Sequence, residues 1–107
     1  MKPILTLFAL LFASHLHATQ FGDAELGKIK SPSCVFCHGA TGVAVNKSYP
    51  NLNGQNAQYL YQSMLDYKSG NRSGPLAEMM AAQLSRLNEQ DLKDIAAYYA
   101  QQNTQAH

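Results

Sequence analysis

The chain has 107 residues, with eight Lys and Arg against seven Asp and Glu, for a formal charge of +1. That length is one domain's worth of chain, and a nearly neutral chain without a basic cluster excludes the electrostatic footprint of nucleic-acid binding. Two cysteines exclude a disulfide-stapled scaffold and any zinc site that needs three or four thiolates.

Lys2 opens the chain and residues 4–13 are almost wholly apolar. Residues 14–18 then turn polar and end in Ala18, the layout of a secretory signal peptide. A spanning helix needs about 20 apolar residues, and this run is shorter and gives way to His15 and His17. The expected division is residues 1–18 as signal peptide and 19–107 as the exported domain, cleaved after Ala18. Cleavage would remove Lys2 and bring the formal charge to zero. It would leave no stable membrane insertion and place the domain in the periplasm.

A first helix is expected over residues 21–31. Asp23 or Gly22 caps it, and Glu25 sits in the first turn, where the helix dipole favours a carboxylate. Leu26, Ile29 and Gly27 form its expected inner stripe. Gly27 costs about 1 kcal/mol against alanine, which a close crossing by another helix would explain. Pro32 ends this helix or bends the chain.

Cys34-Val35-Phe36-Cys37-His38 follows, the spacing of a c-type haem attachment site. Each thiol can add across one vinyl group of a porphyrin, giving two thioether bonds. His38 is then held over the ring, within reach of the iron, for which neutral imidazole is a standard ligand. A redox dithiol wants a βαβ context, and no strand–helix alternation is visible. A Cys₂His₂ zinc site needs a second histidine in the folded part. A structural disulfide would leave His38 without a role. There is one such motif, so one covalent haem is expected. A flat apolar cofactor would supply much of the core that so small a domain lacks.

Residues 39–54, rich in Gly, Asn, Ser and Pro, form a loop. Asn56 caps a helix running to about Ser69, with Ala57, Leu60, Tyr61 and Met64 on one face and Gly70 as a stop signal. Residues 71–75 are a second loop, and residues 76–85 a short helix. Asn88 caps the last helix, Asp91 completes a capping box, and Leu92, Ile95, Ala96 and Tyr99 follow the helical period. No two-residue alternation appears. The expected class is all-α, four to five helices around one haem.

A second axial ligand has few candidates. His15 and His17 lie in the signal peptide and His107 is terminal. Met1 also leaves with the signal, and Met64 reads as core filler. Met79 and Met80 remain, and the residues alone leave the choice between them open. Methionine sulfur on the iron raises the reduction potential.

The stretches Cys34 to Gly39, Thr41-Gly42, Tyr49 to Gln55, Tyr59-Leu60, Tyr67 to Arg72, Met79-Met80, Leu87 to Leu92 and Ile95 to Ala100 together resemble a class I bacterial cytochrome c. The likeness is nearer to the cytochrome c4/c5/c553 group and covers nearly all of residues 19–107. It implies an all-helical fold whose first and last helices cross near the haem edge. It implies haem c on Cys34 and Cys37, with iron held by His38 and Met80; the methionine lies seven residues before Leu87, with Met79 as the fallback. It implies that the Pro50 carbonyl accepts a hydrogen bond from His38, fixing the tautomer, although turn chemistry alone would also place a proline there. Arg72 would fork onto a haem propionate, or stand as a solvated loop arginine.

The implied function is a periplasmic single-electron carrier without catalytic residues, docking transiently with redox protein partners. Alternatives are an electron-transfer subunit of a larger oxidoreductase, or a gas-binding or peroxidase-like haem protein; the last lacks a distal histidine for acid–base work. Cytochromes c4 carry two such domains in tandem, and this chain has one.

Overall fold

The computed structural model describes residues 1–4 and 21–103. The expected signal peptide and its cleavage bond therefore lie almost wholly outside the described residues. Five helices and no strand occur among those described.

Helix α1, Ala24–Lys30, starts at Asp23, whose carboxylate accepts the N–H groups of Glu25 and Leu26 at 3.0 and 3.1 Å. Ser31 closes α1 and opens α2, Pro32–His38. Pro32 sits in the first turn, where its missing N–H costs nothing. The cysteine motif is thus itself helical, which its sequence pattern does not announce. Helix α3, Ala57–Lys68, is capped by Asn56, which accepts the Tyr59 N–H at 3.0 Å. Helix α4 is Pro75–Leu84 and α5 is Glu89–Ala100. Asn88 and Asp91 form the expected reciprocal capping box, at 2.8 and 3.0 Å.

Helix α5 is the hub. It packs on α1 and α3, and α3 packs on α4. The buried cluster joins Leu60 and Met64 of α3, Leu84 of α4, and Leu92, Ile95, Ala96, Tyr98 and Tyr99 of α5.

The inner stripe of α1 differs from the expected one. Leu26 is 45% exposed and Ile29 72% exposed. A methyl group on Gly27 would overlap the Asp94 carbonyl and lie 2.8 Å from Tyr98 Cβ. Backbones that close admit only small residues between them. The inward stripe is therefore Ala24, Gly27 and Ser31, and the long apolar side chains splay to either side.

The same crossing holds a buried charge. Asp94 is 1% exposed. Its carboxylate accepts the Asp23 N–H at 2.8 Å, the Gln90 amide at 3.0 Å and Lys30 Nζ at 2.6 Å. Burial by itself would push this carboxyl up. The Asp23 N–H, Lys30 and Gln90 outweigh burial and hold it below the usual carboxylate range. Lys30 also reaches Asp91 at 2.9 Å, and its bonds to Asp94 and Asp91 lift its ammonium above the ordinary lysine value.

Gly27→Ala is expected to destabilise the holoprotein by about 3 kcal/mol or more, because backbone and not side chain must give way; denaturant unfolding measures it. A carboxyl whose folded-state pKa is depressed adds stability that is present above its unfolded pKa and is lost as pH falls through the folded one. Stability should therefore decline below about pH 4. In Asp94→Asn, urea midpoints taken across pH should be lower at neutrality and lose this share of the acid decline.

Candidate functional site

A cavity of about 440 Å³ opens between α2, α3, α4, α5 and the loop over residues 39–54. Its walls are mostly apolar. Leu60 and Met64 come from α3, Leu84 from α4, and Ile95 and Ala96 from α5. No Asp or Glu lies on the wall among the described residues.

Helix α2 brings the attachment motif to this wall. Cys34 and Cys37 are one helical turn apart, so their side chains share a face. Both thiols are free and half-buried, and burial pushes the Cys34 thiol up. Phe36 stands at the rim, 93% exposed.

His38, the last residue of α2, is buried. Its Nδ1 lies 2.8 Å from the Pro50 carbonyl oxygen. A carbonyl only accepts, so Nδ1 carries the proton and donates, and Nε2 is left with its lone pair. The loop is shaped to deliver that carbonyl. Gly39 turns the chain out of α2 at φ 80°, with its N–H on the Val35 carbonyl at 2.9 Å. The Gly42 carbonyl then accepts the Leu52 and Asn53 N–H groups at 2.7 and 3.3 Å, which folds Pro50 back toward His38.

Met79 and Met80 both line the cavity. Met80 is half-buried and packs on the core cluster, whereas Met79 is 43% exposed. Met64 is buried in that cluster, as its position on the inner face of α3 suggests. Arg72 is the one Lys or Arg on the wall among the described residues. Its guanidinium donates to Tyr67 Oη at 3.0 Å and Ser63 Oγ at 3.4 Å, and stacks 4.5 Å from the centre of the Tyr67 ring. Ser63 and Gln83 also line the cavity, and neither is among the residues expected there from the sequence. For Ser63 a signal did exist. Tyr59, Ser63 and Tyr67 form a second stripe beside the Leu60–Met64 stripe of the same helix.

Residues 24–102 match the family model for cytochrome c. The chain belongs to the cytochrome c family. It is 44% identical over 81 residues to cytochrome c-554(548) of Halomonas halodenitrificans, covering 76% of this chain and 98% of that relative. It is also 44% identical over 81 residues to cytochrome c4 of Pseudomonas aeruginosa, covering 39% of that longer relative. The crystal structure of reduced recombinant cytochrome c4 from Pseudomonas stutzeri superposes with a TM-score of 0.68 at 39% identity, over 77% of this chain and 46% of that one. The chain therefore spans about half or less of the cytochromes c4 it matches.

Its cofactor is haem c, covalently attached and iron-bearing, and it is an electron carrier akin to cytochrome c4. The residues present fit that group. Two free thiols one turn apart, an imidazole with its Nε2 lone pair unspent and a half-buried thioether all line one mostly apolar cavity.

Proposed function

We propose that the protein is a periplasmic single-electron carrier. Its haem is joined through Cys34 and Cys37, and its iron is ligated by His38 and Met80. The carrying observation is the His38 Nδ1 bond to the Pro50 carbonyl. It commits one ring nitrogen to the loop and leaves the other for a metal, on the wall that Cys34, Cys37 and Met80 also line.

The bound group supplies a one-electron iron couple. The chain's own residues set how that couple behaves. The two thiols fix the position of the ring edge. His38 is held in one tautomer and one orientation by its bond to the Pro50 carbonyl. Met80 sulfur favours the ferrous state and raises the potential. His38 and Met80 would both be spent as iron ligands, which would leave no coordination position for a substrate, and His38 is the sole histidine among the described residues. That supports a carrier and not an enzyme.

Arg72 is the counter-charge for a haem propionate. It is a cation on a wall without carboxylates among the described residues, held in place by Tyr67 and Ser63. The layout of residues 1–18 supports export to the periplasm. Electron donor and acceptor then dock transiently over a small patch.

Met80→Ala should abolish the weak red absorption band that thioether sulfur gives ferric haem and should lower the reduction potential. Met79→Ala should keep both; the reverse result assigns the ligand to Met79. Cys34→Ala combined with Cys37→Ala should reduce haem staining of the denatured polypeptide to background, while each single variant keeps one thioether.

A further inference from the structure

Tyr98 and Tyr99 are adjacent on α5 and both buried, Tyr99 to 1% exposure. A buried phenol needs a partner for its hydroxyl. These two hydroxyls are spent on the two residues that follow His38. Tyr99 donates to the Gly39 carbonyl at 3.2 Å, and Tyr98 donates to the Ala40 carbonyl. Tyr99 also uses its backbone, since its own carbonyl accepts the Gly54 N–H at 3.0 Å. One residue of α5 thus grips the 39–54 loop at its beginning and at its end. Between those points Gly42 lies so close to the Tyr99 ring that a Cβ there would come within 3.0 Å of Cδ1. Pro50, whose carbonyl accepts the hydrogen bond from His38 Nδ1–H, sits inside this clamped segment.

We propose that Tyr98 and Tyr99 are positioning residues for the His38 imidazole. They act through the loop and fix both the orientation of the ring and the strength of its bond to Pro50. The inference rests on the reading of His38 as an iron ligand. Loosening either end of the loop lets the Pro50 carbonyl recede. The Nδ1–H bond then weakens, the imidazole becomes a poorer donor, and ferric iron loses more than ferrous iron does. Tyr99 lines the cavity, so its substitution also alters the wall; Tyr98 does not line it and acts from behind the loop.

The test uses holoprotein in four forms: wild type, Tyr98→Phe, Tyr99→Phe and Lys30→Met. Both Tyr→Phe changes keep the ring and its packing. Lys30→Met removes the ion pairs to Asp91 and Asp94 but leaves the Gly27–Asp94 backbone contact that sets the depth of α5, and it serves as the stability control. Solvent exchange of the His38 Nδ1 proton is followed by NMR, and the reduction potential by titration. Each tyrosine variant should exchange that proton about tenfold faster and show a raised potential. Lys30→Met should unfold more easily yet keep the wild-type exchange rate and potential. Tyrosine variants that merely unfold more easily, with exchange and potential unchanged, would overturn the positioning role. A wild-type spectrum without imidazole ligation would instead remove the His38 reading, and this inference with it.

Discussion

The contact of Gly27 with the backbone of Asp94 is the constraint to which the remaining geometry is referred. No side chain separates the two helices there, so α5 has one depth relative to α1. Asp94 secures the contact twice. Its carbonyl meets Gly27, and its carboxylate takes the Asp23 N–H at the start of α1 together with Lys30 near its end. From that depth the next turn of α5 presents Tyr98 and Tyr99 to the carbonyls after the attachment motif. The position of the imidazole is thus tied by a short run of backbone contacts to a glycine eleven residues upstream of it in the chain.

The polypeptide acts mainly as a frame. Among the described residues its own buried cluster is eight residues, five of them on α5. Leu60, Met64, Leu84, Ile95, Ala96 and Tyr99 serve that cluster and the cavity wall at once. A mostly apolar wall with, among the described residues, a single guanidinium and no carboxylate suits a flat apolar group whose acidic substituents reach toward one edge. Such a group would complete the core as much as it would occupy it, as expected of a domain this small.

Much of this was legible in the sequence. The caps at Asp23, Asn56 and Asn88 stand where the residue types placed them, because a short side-chain oxygen ahead of an apolar period has few other uses. Pro50 was legible through family likeness, and the loop geometry supplies its physical reason. The α2 helix was not legible. Its stability comes from Pro32 at one end, Gly39 at the other and neighbours that the sequence does not show. The exposure of Leu26 and Ile29 was equally hidden, since hydrophobic period assigns a face by side-chain size and a glycine-mediated crossing reverses that assignment. The tyrosine hydroxyls were invisible for a similar reason. Their spacing predicts burial of the rings and says nothing of the carbonyls at their tips.

Helices α1 and α5 lie at opposite ends of the described fold, yet they make its tightest contact. Closing so long an intervening segment costs chain entropy before any contact rewards it, and such non-local contacts slow folding. Until residues 98 and 99 are in place, the Gly39 and Ala40 carbonyls after the cysteine pair lack their tyrosine donors. The cysteine pair, half-buried in the finished fold, therefore reaches its final surroundings only once the last helix has docked.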